Sequence, residues 1–113
     1  MVARNALFDS PPYAVEQSLK RLGANLRTAR IRRNLTVAEA AQKIGTGPRA
    51  VIDAEKGKPS TSVAVFAALL WAFDLLGPLD ALGDPARDER GKTLEFARGR
   101  RRVRHKAGLS DDF

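Results

Sequence analysis

Cysteine is absent from this chain, and histidine, tryptophan, tyrosine and methionine occur once each. Without cysteine there is no disulfide framework, and with His105 as the sole imidazole a zinc site would need carboxylates alone to complete it. No metal or cofactor is expected. Long apolar runs are missing as well: nowhere do about 18 uncharged apolar residues follow one another, as a membrane span requires. The opening MVARNALFDSPPY lacks the apolar stretch and cleavage pattern of a secretory signal. These absences lead to the expectation of a cytoplasmic protein with no membrane contact. Paired nucleophile and base at a recognisable spacing, and any phosphate-binding loop, are also lacking, so an enzyme is not expected. There are no internal repeats.

What is present is a modest apolar fraction and an excess of positive charge. The 43% apolar content of the 113 residues suffices for one small helical domain. The net charge of +7 points to a polyanionic partner, most often nucleic acid. Its distribution says more than its total. Lys20, Arg21, Arg27, Arg30, Arg32 and Arg33 form a run with no acid among them, and Arg98, Arg100, Arg101, Arg102, Arg104 and Lys106 form a second. Either run can also be read as a solvated face.

Residues 36–58, TVAEAAQKIGTGPRAVIDAEKGK, organise the rest. Thr36 is a good N-cap with Glu39 three residues on, so each side chain can satisfy the other's backbone donor. Val37, Ala40, Ala41 and Ile44 recur on one helical face, and Gly45 tolerates the left-handed conformation in which helices often end. Thr46 or Gly47 caps a second helix with Pro48 in its first turn, where a missing donor costs nothing. Val51, Ala54 and Ile52 are expected inward, Arg49, Asp53 and Lys56 outward, with Gly57 as the stop. Two helices of about two turns cannot bury themselves and must lean on neighbours.

Both flanks supply them. Residues 1–13, with Pro11-Pro12, read as an extended arm. Over residues 14–33, Val15, Leu19, Leu22, Leu26 and Ala29 recur at fours and threes, an amphipathic helix ended by Asn34. After Lys58, one of Ser60, Thr61 and Ser62 caps an apolar helix whose Val63, Phe66, Leu69, Leu70 and Phe73 face the core. Trp71, Leu75 and Leu76 lie on its other faces. Gly77-Pro78 begins a short helix ending at Gly83. Asp84-Pro85 opens a polar segment that reads as helix, interrupted by Gly91, or as a short strand over residues 93–97. From Gly99 onward the composition is too polar to bury enough surface to fold alone.

The stretch LGANLRTARIRRNLTVAEAAQKIG, followed by PRAVIDAEKGKPS with its Glu55-Lys56-Gly57-Lys58 signature, resembles the XRE (Cro/C1-type) helix-turn-helix regulators over roughly residues 17–76. The resemblance implies an all-α, five-helix, lambda-repressor-like helix-turn-helix domain with a basic C-terminal extension. It divides the chain into an arm (1–13), a DNA-binding and dimerisation domain (14–83) and a polar extension (84–113). The continuation GKPSTSVAVFAALLWAFDLLGPL, with DPARDERGKTLEFA and a terminal Asp-Asp-Phe, looks like HipB-type antitoxins. That likeness implies a repressor of its own operon that binds a HipA-like kinase toxin.

Site residues follow from the same resemblance. Pro48, Arg49 and Asp53 fall at base-reading positions, where the fork of Arg49 can donate twice to guanine and Asp53 can accept from cytosine or hold Arg49. Thr36, Thr46, Lys56, Lys58, Ser60 and Thr61 fall at phosphate positions of operator DNA. Val37 departs from the polar residue that many relatives carry there, which leaves Thr36 and backbone amides for that contact. The tail Arg98, Arg100, Arg101, Arg102, Arg104 and Lys106 is open to DNA, to a protein partner or to neither. Trp71, Leu75, Leu76, Leu79 and Leu82 are candidates for a homodimer interface or for filling a monomer core. Two other functions remain open: a stand-alone XRE-family regulator without a toxin, and a helical adaptor whose helix-turn-helix surface binds protein.

Overall fold

A computed structural model describes the backbone of residues 5–109 and the side chains of residues 5–99. By its packing the chain divides into two units, with the boundary in the chain between Leu79 and Asp80. All regular elements among the described residues are helical, as expected of an all-α fold.

The first unit holds α1 (Ala6–Asp9), α2 (Tyr13–Arg32), α3 (Val37–Ile44), α4 (Pro48–Lys56) and α5 (Val63–Ala72). The expected arm thus contains one helical turn, started by Asn5, whose side chain accepts from the Leu7 N–H at 3.0 Å. Pro11-Pro12 stays outside helix, and α2 begins at Tyr13. The reciprocal cap of α3 forms as expected: Thr36 Oγ1 accepts from the Glu39 N–H at 3.0 Å, and Glu39 Oε1 accepts from the Thr36 N–H at 2.8 Å. Gly47 stands at the N-cap of α4, ahead of Pro48, without a side-chain cap. Of the three candidates before α5, Ser62 is the cap, its hydroxyl accepting from the Ala64 N–H at 2.9 Å.

Helices α2 to α5 all stop the same way. Asn34, Gly45, Gly57 and Asp74 adopt positive φ. In each case the N–H of the next residue reaches back to a carbonyl five positions earlier: Leu35 to Arg30, Thr46 to Ala41, Lys58 to Asp53 and Leu75 to Leu70. This termination satisfies carbonyls that a helix end otherwise leaves open. It reverses the chain within two residues, so that short helices stack rather than string out.

The core is Leu26 and Ala29 of α2, Ala40 and Ala41 of α3, Val51 and Ala54 of α4, Phe66 and Leu69 of α5, and Phe73. Burial of Phe73, Leu26, Leu69 and Val51, the largest fully enclosed side chains, contributes about 1.5–3 kcal/mol each. Helix α4 packs on α2, α3 and α5 and is the centre of the unit. Two expected core positions are exposed: Val15 lies in the first turn of α2, and Val63 is the first residue of α5.

The short helix expected from Gly77-Pro78 is a 3-10 helix, Gly77–Ala81; a second 3-10 turn, Pro85–Arg87, is capped by Asp84, and α6 (Glu89–Leu109) follows. The strand considered over residues 93–97 is helix. Gly91 does not break it, because it lies in the first turn, where its N–H donates to Asp88 Oδ1 at 2.8 Å. Beyond Gly99, where the composition is too polar to bury enough surface to fold alone, the backbone of α6 continues to Leu109, and the burial of its side chains there lies outside the described residues. Burial decides tertiary packing, but helix formation also draws on intrinsic preference, which is high for arginine, lysine and alanine.

Candidate nucleic-acid interface

Helix α4 is held by its inner face and presents its outer face to solvent. Val51 and Ala54 are fully buried, and Ile52 is half-buried. On the outer side, the Arg49 side chain is 74% exposed. Asp53, one turn on, is 22% exposed and stands between two cations: Arg49 Nη1 lies 3.9 Å from Oδ1, and Lys58 Nζ lies 3.9 Å from Oδ2. Both distances exceed those of a direct hydrogen bond, so the carboxylate orients the two cations without engaging either firmly. Pro48 is exposed at the tip of the helix, and the first turn carries no acid. The positive end of the α4 dipole therefore lies beside Arg49 uncompensated.

The expected phosphate residues differ in what they present. Lys56, Lys58, Ser60, Thr46 and Thr36 are exposed. The cap at Thr36 is closed on itself, and its backbone N–H is taken by Glu39. The hydroxyl proton of Thr36 and the N–H groups of Val37 and Ala38 remain for an anion. Thr61 differs from the rest: its Oγ1 is shielded from solvent and has no hydrogen-bond partner among the described residues.

The basic run of α2 is not one surface. Arg30 is buried, donating from Nε to Glu55 Oε2 at 2.6 Å, from Nη2 to Glu55 Oε1 at 3.0 Å and from Nη1 to the Leu35 carbonyl at 2.8 Å. The side chains of the pair are 11% and 9% exposed. The hydrogen bond to Glu55 raises the Arg30 pKa above its ordinary range, against the opposing effect of burial, so its charge is secure. Arg33 donates to the carbonyls of Ala29 and Phe73 at 2.9 and 2.8 Å, with its guanidinium 5.4 Å from the centre of the Phe73 ring. Both arginines therefore tie α2 to other elements. Lys20 pairs with Glu16 at 3.3 Å, and Arg27 and Arg32 are exposed.

The pairing of Arg30 with Glu55 was missed in the sequence, although a signal was present. Arg30 is four residues beyond Leu26 and eight beyond Leu22, in register with the buried stripe. Glu55 is four beyond Val51. Charged residues in core register on two helices are stable only if they meet.

The short helix, tight turn and second helix formed by α3 and α4, with an exposed arginine at the tip of the second, have a counterpart among known families. The family model described as a helix-turn-helix domain matches residues 21–82, more than half of the chain. The chain belongs to that family. Comparison with curated proteins and with solved structures gave no match. The matched region takes in α3, α4, α5 and all but the first turns of α2. In helix-turn-helix domains the second helix of the unit is the recognition helix, which enters the major groove with its N-terminal residues at base edges, while the first crosses the backbone. Here those two helices are α4 and α3. The domain is that of a DNA-binding regulator.

Among the dimer candidates, Trp71 is 62% exposed. Leu75 and Leu82 are also exposed, and Leu76 and Leu79 are half-buried. None of the five is part of the enclosed core. Of the tail residues, Arg98 is exposed, while the side chains of Arg100, Arg101, Arg102, Arg104 and Lys106 lie outside the described residues. No helix among the described residues is long and apolar enough to cross a membrane.

Proposed function

We propose that this helix-turn-helix protein is a sequence-specific transcriptional repressor that reads operator DNA with the first turn of α4. The observation that carries the reading is the exposed Arg49 guanidinium, flanked by Pro48 and 3.9 Å from Asp53, on a helix whose other face is locked into the core. A fork so presented can donate two hydrogen bonds to guanine O6 and N7. Thr36, Thr46, Lys56, Lys58 and Ser60 contact phosphates on either side, and Thr61 joins them once its hydroxyl rotates outward. Such contacts set affinity and register without reading sequence. The protein works as a homodimer on two half-sites.

A binding site selected from a random duplex library tests this directly. Arg49→Ala should cut the preference for the selected site over random duplex by roughly ten- to a hundredfold, in line with about 1–3 kcal/mol per bidentate pair. Affinity for random duplex should stay nearly unchanged. Equal losses on both DNAs would remove the base-reading role. The narrower reading, an autoregulatory antitoxin of a HipA-like kinase, is supported by the likeness of residues 57–79 and 84–97 to HipB-type proteins. Co-purification with a kinase encoded beside it, and release of DNA from the upstream region when Arg49 is changed, are the outcomes expected of it. A regulator without a toxin would show only the second.

A further inference from the structure

Helix α6 runs unbroken from Glu89 to Leu109, about 31 Å at 1.5 Å per residue. Its two halves differ in charge. Over residues 89–97, Arg90 and Lys92 are balanced by Glu89 and Glu95, whereas over residues 98–109 there are six cations and no acid. Five of those six are arginine, whose planar fork suits phosphate oxygens better than the point charge of lysine.

Helical register distributes these positions widely. Positions 98, 102 and 106 succeed one another at intervals of four, as do 100 and 104, with 101 between the two rows. At 3.6 residues per turn, no sector wider than about a third of the circumference lacks a cationic position. The sector that does holds Gly99, Val103 and Ala107. A helix resting on a membrane needs large apolar residues along one side. A helix docked in a protein groove needs apolar anchors at i, i+3, i+4 and i+7. Neither pattern is present. Cationic positions on most of the circumference suit a helix lying in a groove with phosphates along both walls, the way continuous basic helices occupy duplex DNA. Like charges four apart also weaken a helix by a few tenths of a kcal/mol per pair. Phosphates beside them relieve that repulsion.

We propose that residues 98–109 of α6 form a second DNA-binding element, which lies in a groove of duplex DNA and neutralises phosphates of both strands. The proposal takes duplex DNA as ligand from the regulator reading, but it does not require α4 to read sequence.

The test uses the full chain and a random-sequence duplex, with binding followed between roughly 50 and 200 mM salt. Replacing Arg100, Arg101, Arg102 and Arg104 together by glutamine should flatten the log–log salt dependence by about 3 to 4, at roughly 0.9 per phosphate released. Replacing the same four by lysine should keep the slope near that of the unaltered protein. An unchanged slope in the glutamine variant overturns the proposal. Equal flattening in the lysine variant also overturns it, because the loss would then not follow charge. Displacement of the duplex by poly-glutamate at equal charge concentration assigns the helix to an acidic protein and overturns it too. The glutamine variant should lose the same factor on selected and random duplex, whereas Arg49→Ala should lose preference at constant slope. A flattened slope without any sequence preference supports α6 and rejects α4 readout, and the reverse pair of results rejects α6 alone.

Discussion

Arg30 donates two hydrogen bonds to the Glu55 carboxylate inside an otherwise apolar contact between α2 and α4, so the buried carboxylate is tolerated there because of its partner. Arg30→Ala leaves a buried carboxylate without its partner and should cost about 3–5 kcal/mol, the range for breaking such a pair. Arg30→Met combined with Glu55→Leu should recover most of the loss. Urea unfolding checks both: the midpoint should fall sharply in the single variant and return in the double, at a similar slope. The raised pKa of Arg30 means its share of stability is complete at neutral pH and is lost only as pH rises through that elevated value. Asp53 sits on the surface between Arg49 and Lys58, and if α4 enters a groove as proposed, its charge opposes the phosphates. Asp53→Asn should tighten binding to random duplex several-fold and weaken discrimination, as read by fluorescence anisotropy. Unchanged random-duplex affinity would show that Asp53 exerts no field on the DNA.

Elements were legible in this sequence wherever a local signal sufficed, and contacts between elements were not. The reciprocal cap at Thr36, the stops at Gly45 and Gly57 and the stripe of α2 are encoded within a few residues of where they act. The approach of α2 to α4 is not: Gly23 is an unremarkable helical glycine until α4 is placed beside it. A Cβ on Gly23 would lie 2.5 Å from the Glu55 carbonyl oxygen and 2.6 Å from that of Ala54. Those atoms belong to a helix backbone and cannot turn aside. Gly23→Ala should therefore lower the melting temperature, since overpacking costs about 1–3 kcal/mol and the neighbour is rigid, against at most about 1 kcal/mol from better helix propensity. Gly91→Ala is the contrast. There the obstructing group is the carboxylate of Asp88, a side chain that can move, so a lost cap and a gained propensity should nearly cancel. The solvent-facing side of α4 was legible because its inner residues are small and apolar and its outer ones are not. The role of Glu55 was hidden, because a glutamate followed by lysine, glycine and lysine looks like surface.

For the molecule as a whole, the decisive quantity is the number of copies that meet on DNA. Helix α5 has no charged residue along its length, and two of its large apolar side chains, Val63 and Trp71, are exposed. An uncharged helix open on one side in so small a domain is what a two-fold partner would cover. If that partner is a second copy, the two α4 helices should address half-sites one helical turn of DNA apart, about 34–36 Å. Trp71→Arg adds a charge where a neighbour would sit but removes nothing from the enclosed core. The variant should keep its circular dichroism spectrum and sediment as a monomer at micromolar concentration, where the unaltered protein should sediment as a dimer. Its binding to a selected two-half-site duplex should fall to the level of a single half-site, with affinity for random duplex reduced far less. A monomeric unaltered protein, or a dimeric Trp71→Arg variant, would move the interface off α5. The half-site spacing would then have to be set by other surfaces.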